Sequence, residues 1–446
     1  MPLRQKSPDF VKLFDQEVQQ DPKIIINLLS TNLDDSRYLH WSELIRRTPP
    51  EGLTHDQWWL GLKLRRNTSQ RTVPLANKHG KKFTFTLTDR ILQSVESIAA
   101  RLGGPRELTS GTLTPAGRDK YVVRSLVEEA ITSSQLEGAS TSRRVAVEML
   151  DSGRQPSNRS ELMILNNYRG MESVKKNAGK DMTPELVLQL HSILTEGTLD
   201  DPEDAGRLDS PDQERVSVWA HDEQVHVPPP AIELPERLDT LCSFANESPT
   251  SSPYIPPIVR AIIVHFMFGY DHYFADGNGR TARTAFYWLM LRHGYWLSEF
   301  LTISKILKTM PGKYGDAYQL SEDDDDLTYF IHFQLDVIIR ALDELDAYIA
   351  RRQAQTKHIH SVLRSAASVF NPRQSQIIEW IDRDSVPSVT AQIISSRYRV
   401  TTQTARNDLT HLENYGLLHR SEGKRPITWI PVDGFRERLA KLEDEL

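Results

Sequence analysis

The sequence has a single cysteine, Cys242, among its 446 residues. One thiol cannot form a disulfide within the chain, which excludes a disulfide-stapled scaffold and fits a reducing compartment. We expect Cys242 to be a small core residue. The chain also lacks a secretory segment and an apolar run of the roughly 18 residues that a membrane helix needs. The sequence therefore predicts a soluble, cytoplasmic protein with no membrane association.

A strong charge of one sign is lacking as well. The formal net charge is −6, from 54 basic and 60 acidic side chains, so the whole chain has no general attraction for nucleic acid or anionic membranes. The apolar fraction of 39% and the charged fraction of 26% are ordinary for a globular protein. The length suits two or three domains.

The most informative segment is residues 272–283, HYFADGNGRTAR. Apolar residues at helical spacing in residues 258–270 predict a helix before it, and an apolar run ended by Gly294 predicts a second helix after it. Gly277 and Gly279 lie between the helices, where they tolerate positive φ and close backbone approach. The segment is therefore a tight loop that leads into a helix N-terminus, and such a terminus binds anions.

The side chains around this loop suit a phosphorylated ligand. Arg280 and Arg283 are three residues apart and share a helix face, which favours a polyphosphate. Asp276 is a carboxylate of the kind that binds Mg²⁺ together with substrate phosphates. His272 can accept a proton near neutral pH. Each feature alone is common in turns and on solvated helices, but their combination indicates phosphoryl or nucleotidyl transfer.

The segment resembles the Fic family motif, HxFx[D/E]GNGRxxR. Fic proteins mostly transfer AMP from ATP to a hydroxyl side chain of a target protein, so the resemblance implies ATP as substrate and Mg²⁺ as metal. Kinases of the same fold carry another loop in place of GNGR, which favours AMP transfer. The resemblance implies these roles: His272 as the base, Asp276 on Mg²⁺, Gly277, Asn278 and Gly279 around the α- and β-phosphates, Arg280 on the β-phosphate and Arg283 on the γ-phosphate.

One position departs from the family pattern. Many members have proline after the histidine, and this chain has Tyr273. The departure removes no catalytic position, but it leaves the rigidity of the loop open.

A second motif lies upstream. Residues 119–137 are predicted as a helix ended by Gly138, and its last residues resemble the Fic inhibitory motif [S/T]xxxE[G/N] through Ser133 and Glu137. These two residues are four apart and share a helix face. The resemblance implies that Glu137 pairs with Arg283 and occupies the guanidinium that the γ-phosphate needs.

Three further interpretations concern the same half of the chain. His191, beside the apolar face of a helix that starts at Thr183, is predicted to be structural. Alternating valines between 214 and 228 predict a β-hairpin, and the resemblance implies that it is a flap that aligns a target segment with His272 by β-augmentation. The acidic run 322–326 is predicted to open the next helix.

The first 80 residues give weaker signals. Trp41, Trp58 and Trp59 lie among polar residues, and we expect them to be packed rather than exposed for a partner. Residues 65–82, rich in Arg, Asn and Lys, are predicted as a loop or flap.

The last 75 residues or so resemble a winged helix-turn-helix, with three predicted helices and a small basic hairpin. Residues 390–425 hold six Lys and Arg against three Asp and Glu, a modest electrostatic footprint for DNA. Winged helices also mediate protein contacts, so both interpretations stay open. The candidate DNA contacts are Gln403, Arg406 and Asn407 on the third helix and Lys424 and Arg425 at the wing tip.

The predicted fold is mostly α: an all-helical Fic core with a small β-hairpin flap, followed by the winged helix-turn-helix domain. The predicted division is an N-terminal helical region at 1–115, a Fic catalytic domain at 116–350 with its inhibitory helix near 119–138 and its flap near 214–228, and the C-terminal domain at 366–446.

The predicted function is protein adenylyltransferase acting on a Ser, Thr or Tyr hydroxyl of a target protein or of itself, autoinhibited by Glu137. One alternative is a Fic enzyme that removes AMP, with Glu137 positioning water. Another is a DNA-binding transcriptional regulator whose Fic domain senses nucleotide. A homodimer is one expected state, because Fic proteins of this type are often dimers.

Overall fold

The chain forms two compact units. Both are dominated by helices, as the predicted mostly α fold class requires. The computed structural model describes residues 5–103, 115–211, 215, 218–220, 223–248, 250–384, 386–421 and 426–445. One unit comprises residues 1–104 and 122–342, and the other comprises residues 105–121 and 343–446. The sheets of the described residues have only two or three strands. None of the described helices is both long and apolar enough to cross a bilayer.

The first unit opens with four helices that pack around tryptophans. Trp41, Trp58 and Trp59 are buried against Leu28 and Leu44, which confirms the prediction that they are packed. The fourth helix starts with a capping box in which Thr54 and Gln57 each satisfy the other's backbone N–H. The helices are α1 (Phe10–Gln20), α2 (Ile24–Ser30), α3 (Trp41–Leu44) and α4 (His55–Ser69).

A β-hairpin follows where the sequence analysis expected a loop. Strands β1 (Gln70–Ala76) and β2 (Lys82–Thr86) pair antiparallel. The prediction for residues 65–82 was wrong because the polar residues alternate with buried ones, Val73 and Leu75 in β1 and two phenylalanines in β2. Helix α5 (Asp89–Leu102) comes next.

The centre of the first unit is a helical core around two helices that flank the glycine loop. The first of them is apolar on nearly all sides, and Ile258 to Phe268 are buried without a break, as expected for a central helix. Proline at its start costs no hydrogen bond. The helices are α6 (Pro115–Leu136), α7 (Arg143–Ser152), α8 (Arg159–Asn177), α9 (Pro184–Thr195), α10 (Leu234–Asn246), α11 (Pro257–Asp271), α12 (Asn278–Arg292), α13 (Ile303–Thr309) and α14 (Pro311–Asp324).

Smaller elements complete this unit. Strands β3 (Val218–Ala220) and β4 (Glu223–His226) pair antiparallel within the predicted hairpin region. Three short 3₁₀ helices lie at Pro202–Asp204, Ala231–Glu233 and Trp296–Phe300.

The acidic run before the next helix, α15 (Thr328–Ser365), differs from its prediction. Residues 322–324 lie at the end of α14 and not at the start of α15. Asp325 adopts a left-handed conformation with φ of 52°, which ends α14 before α15 begins. Only Asp326 serves α15, since its carboxylate accepts the Thr328 backbone N–H at 3.0 Å.

The second unit has the helices and strands of a winged helix-turn-helix. Its core joins Ile377, Ile378, Leu409, Leu412 and Trp429. The sheet has the order β5-β7-β6 and is antiparallel, so a short strand before the second helix adds to the predicted hairpin. The elements are α16 (Pro372–Asp384), β5 (Val389–Thr390), α17 (Ala391–Tyr398), α18 (Thr402–Asn414), β6 (Leu418–Arg420), β7 (Thr428–Pro431) and α19 (Phe435–Glu445).

Candidate functional site

The loop between α11 and α12 is shaped by two left-handed residues. His272 has φ of 51° and ends α11, while Gly277 has φ of 83° and precedes α12. Among the residues that the structure describes, none caps the N-terminus of α12 through its side chain. The first backbone N–H groups of a helix have no partner within the helix, so these amides are available to an anion.

The backbone of this loop is held from outside. Arg215 donates from Nη2 to the carbonyl oxygens of Asp271 and His272, at 2.7 and 2.8 Å. Asp209 donates its backbone N–H to the Tyr273 carbonyl at 2.8 Å and also pairs with Arg215. The position of His272 is thus fixed by residues that lie more than fifty positions earlier in the chain.

Asn278 also holds the loop. Its Oδ1 accepts the Phe274 N–H at 3.0 Å and its Nδ2 donates to the Phe274 carbonyl at 2.6 Å. The same Nδ2 lies 3.3 Å from Nδ1 of His272. The side chain therefore shapes the loop, and the group that Asn278 can offer an anion is its backbone N–H.

Tyr273, at the position where many Fic proteins have proline, is buried and anchored. Its hydroxyl donates to Asp271 Oδ2 at 2.6 Å, and Asp271 Oδ1 accepts from Arg237 Nε at 2.8 Å. Burial raises the pKa of Asp271, although Arg237 opposes the rise. The tyrosine thus holds the loop through its side chain.

His272 is half-buried beside Gly277, Asn278, Gly279 and Arg280, the residues predicted to surround the phosphates, which we call the cradle. Burial lowers the pKa of His272 to about 4, with a contribution from the charge of Arg215. The imidazole is therefore neutral near pH 7 and can accept a proton.

Arg280 lies beneath the amides of α12 and is fully buried. Its Nη1 donates to the Leu194 carbonyl at 2.8 Å, but its Nε and Nη2 have no hydrogen-bond partner among the described residues. Asp276 Oδ2 is 3.6 Å from Nη2. Burial lowers the pKa of Arg280. A buried guanidinium with unused donors is costly, and an anion with several oxygens would satisfy it.

Arg283, one turn further along α12, is already satisfied. Its Nε donates to Ser133 Oγ at 2.9 Å, and its Nη2 donates to the Ser133 carbonyl at 3.0 Å and to Glu137 Oε1 at 2.9 Å. Burial alone would lower the pKa of Arg283, but the nearby Glu137 and Glu129 carboxylates raise it. The end of α6 therefore supplies the groups that pair with this guanidinium.

Glu137 also covers the glycine that opens the cradle. A Cβ placed on Gly279 would lie 2.1 Å from Glu137 Oε1 and 2.9 Å from Arg283 Nη1. Glycine at this position lets a carboxylate approach the backbone of the first helical turn. The Glu137 carboxylate thus lies in the space where an anion at the helix N-terminus would lie.

Asp276 is the carboxylate available to a metal ion. Its side chain is about half exposed, at 48%, and Oδ1 accepts the Gly277 N–H at 2.5 Å. The described residues contain no group of three or more His, Cys, Asp or Glu arranged to hold a metal. A single carboxylate suits Mg²⁺, which takes its other ligands from phosphates and water.

His191 is the residue whose relation to this site was missed. It is fully buried, its ring stacks on Phe274 with centroids 3.7 Å apart, and its Nε2 lies 2.9 Å from the Asp276 carbonyl oxygen. Burial lowers the pKa of His191 to about 4. Its buried position agrees with the structural role predicted, but no sequence pattern indicated that it contacts the glycine loop 85 positions later.

The candidate DNA contacts of the second unit are partly described. Gln403, Arg406 and Asn407 are exposed on α18, and Gln403 Nε2 donates to Asn407 Oδ1 at 2.9 Å. The other face of α18 is buried through Ala405 and Leu409. Lys424 and Arg425 lie outside the described residues.

Comparison with known proteins agrees with both units. Residues 181–290 match the Fic/DOC family. This chain contains a Fic domain. Residues 373–424 match the DeoR-like helix-turn-helix domain, in agreement with the winged-helix prediction.

Two curated relatives and one solved structure illustrate the similarity of the Fic-containing chain. Protein adenylyltransferase Fic of Drosophila yakuba is 25% identical over 261 residues, which are 58% of this chain and 48% of the relative. Protein adenylyltransferase fic-1 of Caenorhabditis elegans is 28% identical over 149 residues, which are 33% of this chain and 26% of the relative. A Fic family protein from Desulfovibrio desulfuricans G20 superposes with a TM-score of 0.54 at 19% identity, over 78% of this chain and 97% of that chain, and shows a shared fold.

Proposed function

We propose that the chain is a protein adenylyltransferase that moves AMP from ATP to a Ser, Thr or Tyr hydroxyl of a target protein or of itself. The observation that carries the proposal is Arg280 in the first turn of α12, a buried guanidinium whose Nε and Nη2 make no hydrogen bond to the described residues. The phosphates of ATP would provide the missing acceptors. The relatives named adenylyltransferases support the reaction class, although this chain spans about half of the Drosophila yakuba protein's length.

His272 supplies the base for the transfer. Its ring is neutral near pH 7, because burial lowers its pKa to about 4. The target oxygen bonds to the α-phosphorus, the bond from that phosphorus to the bridging oxygen breaks, pyrophosphate leaves, and the hydroxyl proton passes to His272. The backbone amides of Asn278, Gly279 and Arg280 donate to phosphate oxygens as charge shifts among them.

Asp276 would hold Mg²⁺ at the edge of this cradle. When bound there, the ion neutralises part of the phosphate charge. The carboxylate is kept in place by the Gly277 N–H and is exposed enough to reach a hydrated ion.

The β3–β4 hairpin would present the target. His226, at the end of β4, lies 2.7 Å through Nε2 from the Tyr270 carbonyl oxygen, so the hairpin is attached beside the end of α11 that carries His272. Each strand of a two-stranded sheet has an outer edge, and an extended target segment can pair with such an edge.

Glu137 would restrain the enzyme. Its carboxylate occupies both Arg283 and the space above Gly279. A γ-phosphate that binds Arg283 has to displace a negatively charged group that already makes a short, charge-assisted hydrogen bond.

The proposal is tested by which part of ATP is transferred to the protein. We would incubate the Glu137→Gly variant with Mg²⁺ and ATP labelled with ³²P at either the α- or the γ-phosphate, and follow label on protein. We expect label from α-labelled ATP alone, and none with the added change His272→Ala. Label from the γ-position would identify a kinase, and label from neither position would contradict self-modification and direct the test to removal of AMP from a pre-modified protein.

A second function, DNA binding, is supported by the match to a DeoR-like helix-turn-helix and by the exposed polar face of α18. Arg406 on this face can contact a base edge or a phosphate. We would measure fluorescence anisotropy of genomic fragments at several salt concentrations, with Arg406→Ala beside the unchanged chain. Sequence-specific binding that Arg406→Ala weakens is expected, and equal weak binding of every fragment by both proteins would contradict the function.

A further inference from the structure

His191 joins two backbone segments that lie far apart in the chain. Its Nδ1 accepts the Gly206 backbone N–H at 3.0 Å, and its Nε2 lies 2.9 Å from the Asp276 carbonyl oxygen. An N–H can only donate and a carbonyl can only accept, so the ring carries its single proton on Nε2. Both contacts are to backbone atoms, and both are partly buried, while the ring itself is fully buried.

The contact with Asp276 fixes a whole peptide unit. In a trans peptide the C=O and N–H bonds point in opposite directions. When His191 holds the Asp276 carbonyl, the N–H of Gly277 is turned the other way, where it donates to Asp276 Oδ1 at 2.5 Å. The backbone and the carboxylate of Asp276 are therefore oriented by one chain of hydrogen bonds that starts at His191.

The same peptide has little room to turn. A Cβ on Gly277 would lie 2.8 Å from Thr195 Cγ2 and 3.3 Å from His191 Nε2, so α9 packs directly against the glycine. The ring of His191 is in turn wedged against Phe274 at an interplanar angle of 5°. Helix α9 therefore acts as a rigid support behind the cradle.

The other carboxylate oxygen, Asp276 Oδ2, is not the one that accepts the Gly277 N–H. It forms loose ion pairs with Arg280 Nη2 at 3.6 Å and Arg159 Nη2 at 4.0 Å, both beyond hydrogen-bonding distance. It thus lies next to the guanidinium that would bind phosphate, where a cation shared between carboxylate and phosphate would fit.

We propose that His191 is a positioning residue that sets the Asp276 carboxylate for a divalent cation bound together with a nucleotide. The inference rests on the proposed function, in that it takes a nucleotide to be the ligand of the cradle. It makes a claim of its own, however. The hydrogen bond donated by His191 Nε2, and not merely the bulk of the ring, gives the site its affinity for the metal–nucleotide pair.

Two substitutions separate the donor from the bulk. The amide nitrogen of glutamine can take the place of Nε2, so His191→Gln keeps donation to Asp276. The shorter asparagine can take the place of Nδ1 only, so His191→Asn keeps acceptance from Gly206. Both lose the stack on Phe274, so this loss is common to the two variants.

The measurement is ADP affinity by isothermal titration calorimetry, with Mg²⁺ and with EDTA, in the Glu137→Gly background. The readout is the ratio of the two dissociation constants, which needs no turnover. We expect Mg²⁺ to tighten ADP binding roughly tenfold less in His191→Asn than in the parent, because one oriented hydrogen bond is worth about that factor. We expect the same reduction for Asp276→Asn. His191→Gln should stay within about twofold of the parent.

Equal ratios for the asparagine and glutamine variants would overturn the proposal, as would a parent that binds ADP equally well with and without Mg²⁺. A parent that binds no ADP in either buffer would instead contradict the proposed nucleotide site itself. Circular dichroism of both variants checks that the comparison is made between folded proteins.

Discussion

Arg280 and Arg283 are both buried on α12, yet their surroundings are opposite. Arg280 leaves two nitrogens without a partner among the described residues, whereas Arg283 is bound by Ser133 and Glu137. An unpaired buried donor costs stability, while a paired one does not. The difference teaches that Arg280 still has hydrogen-bond donors to offer a ligand, whereas Arg283 is held by the chain's own carboxylate.

The two arginines therefore set different conditions for a phosphate. At Arg280 a phosphate meets unused donors on a guanidinium that is fully buried, whereas at Arg283 it must first displace Glu137. Binding and restraint are thus separate properties of neighbouring arginines, and each can be changed alone.

The largest effect is expected from replacing Arg280. Arg280→Met keeps the length of the side chain and deletes the charge, and we expect ADP affinity to fall about 100-fold, because several charge-assisted hydrogen bonds are lost. The midpoint of thermal unfolding should stay level or rise, because a buried guanidinium with two nitrogens that make no hydrogen bond to the described residues is removed. Calorimetry and thermal melts measure both.

Arg283→Met is the matched control. It should lower the unfolding midpoint, because Glu137 loses its partner. The comparison fails if Arg280→Met binds ADP like the unchanged chain and unfolds at a lower temperature.

A smaller effect is expected from removing the Glu137 carboxylate that is bound to Arg283. Glu137→Gly should raise the initial rate of AMP transfer about 30-fold, since a charge-assisted hydrogen bond no longer competes with phosphate. Glu137→Gln keeps the bulk above Gly279 without the charge and should give an intermediate rate. A rate for Glu137→Gly at or below that of the unchanged chain would contradict the assignment of Glu137.

Removing only one hydrogen bond of Arg283 should raise the rate of AMP transfer less. Ser133→Ala removes the hydroxyl that accepts from Arg283 Nε, and we expect about a threefold rise in the transfer rate. Thr132→Val is the control, because that hydroxyl bonds only to backbone carbonyls of its own helix. An equal change in both variants would mean that general loosening of α6, and not the Arg283 contact, raises the rate.

The smallest effect is expected from mild acid. Burial lowers the pKa of His272 to about 4, so its neutral form persists as the pH falls and is lost only near that value. Between pH 7.5 and 5.5 the transfer rate of Glu137→Gly should change less than about twofold. A rate that halves near pH 6.5 would show an ordinary histidine and contradict the buried environment described for His272.

The sequence predicted what is contiguous and missed what is assembled by folding. Residues 272–283 form one loop and one helix turn, so their spacing alone revealed an anion site. Glu137 is 146 positions from Arg283 and was connected to it only through a recognisable motif. His191 and Arg215 had no such motif, because their partners are backbone carbonyls of the loop, which leave no pattern in side-chain identity.

Local pattern was misread in two places, the acidic run 322–326 and residues 65–82. The β1–β2 hairpin carries alternating buried residues, but the Arg, Asn and Lys content of residues 65–82 outweighed that alternation in the interpretation. Polar residues on the exposed side of a strand say little about the strand itself. Lys424 and Arg425 of the second unit lie outside the described residues and stay predictions.

The central claim is that a self-restrained cradle transfers AMP, and the mass of the intact protein tests it most directly. The unchanged chain, Glu137→Gly, and Glu137→Gly with His272→Ala are each incubated with Mg²⁺ and ATP and weighed. We predict an added AMP on Glu137→Gly, little on the unchanged chain, and none when His272 is replaced. An equal AMP adduct on all three proteins would contradict both the base and the restraint.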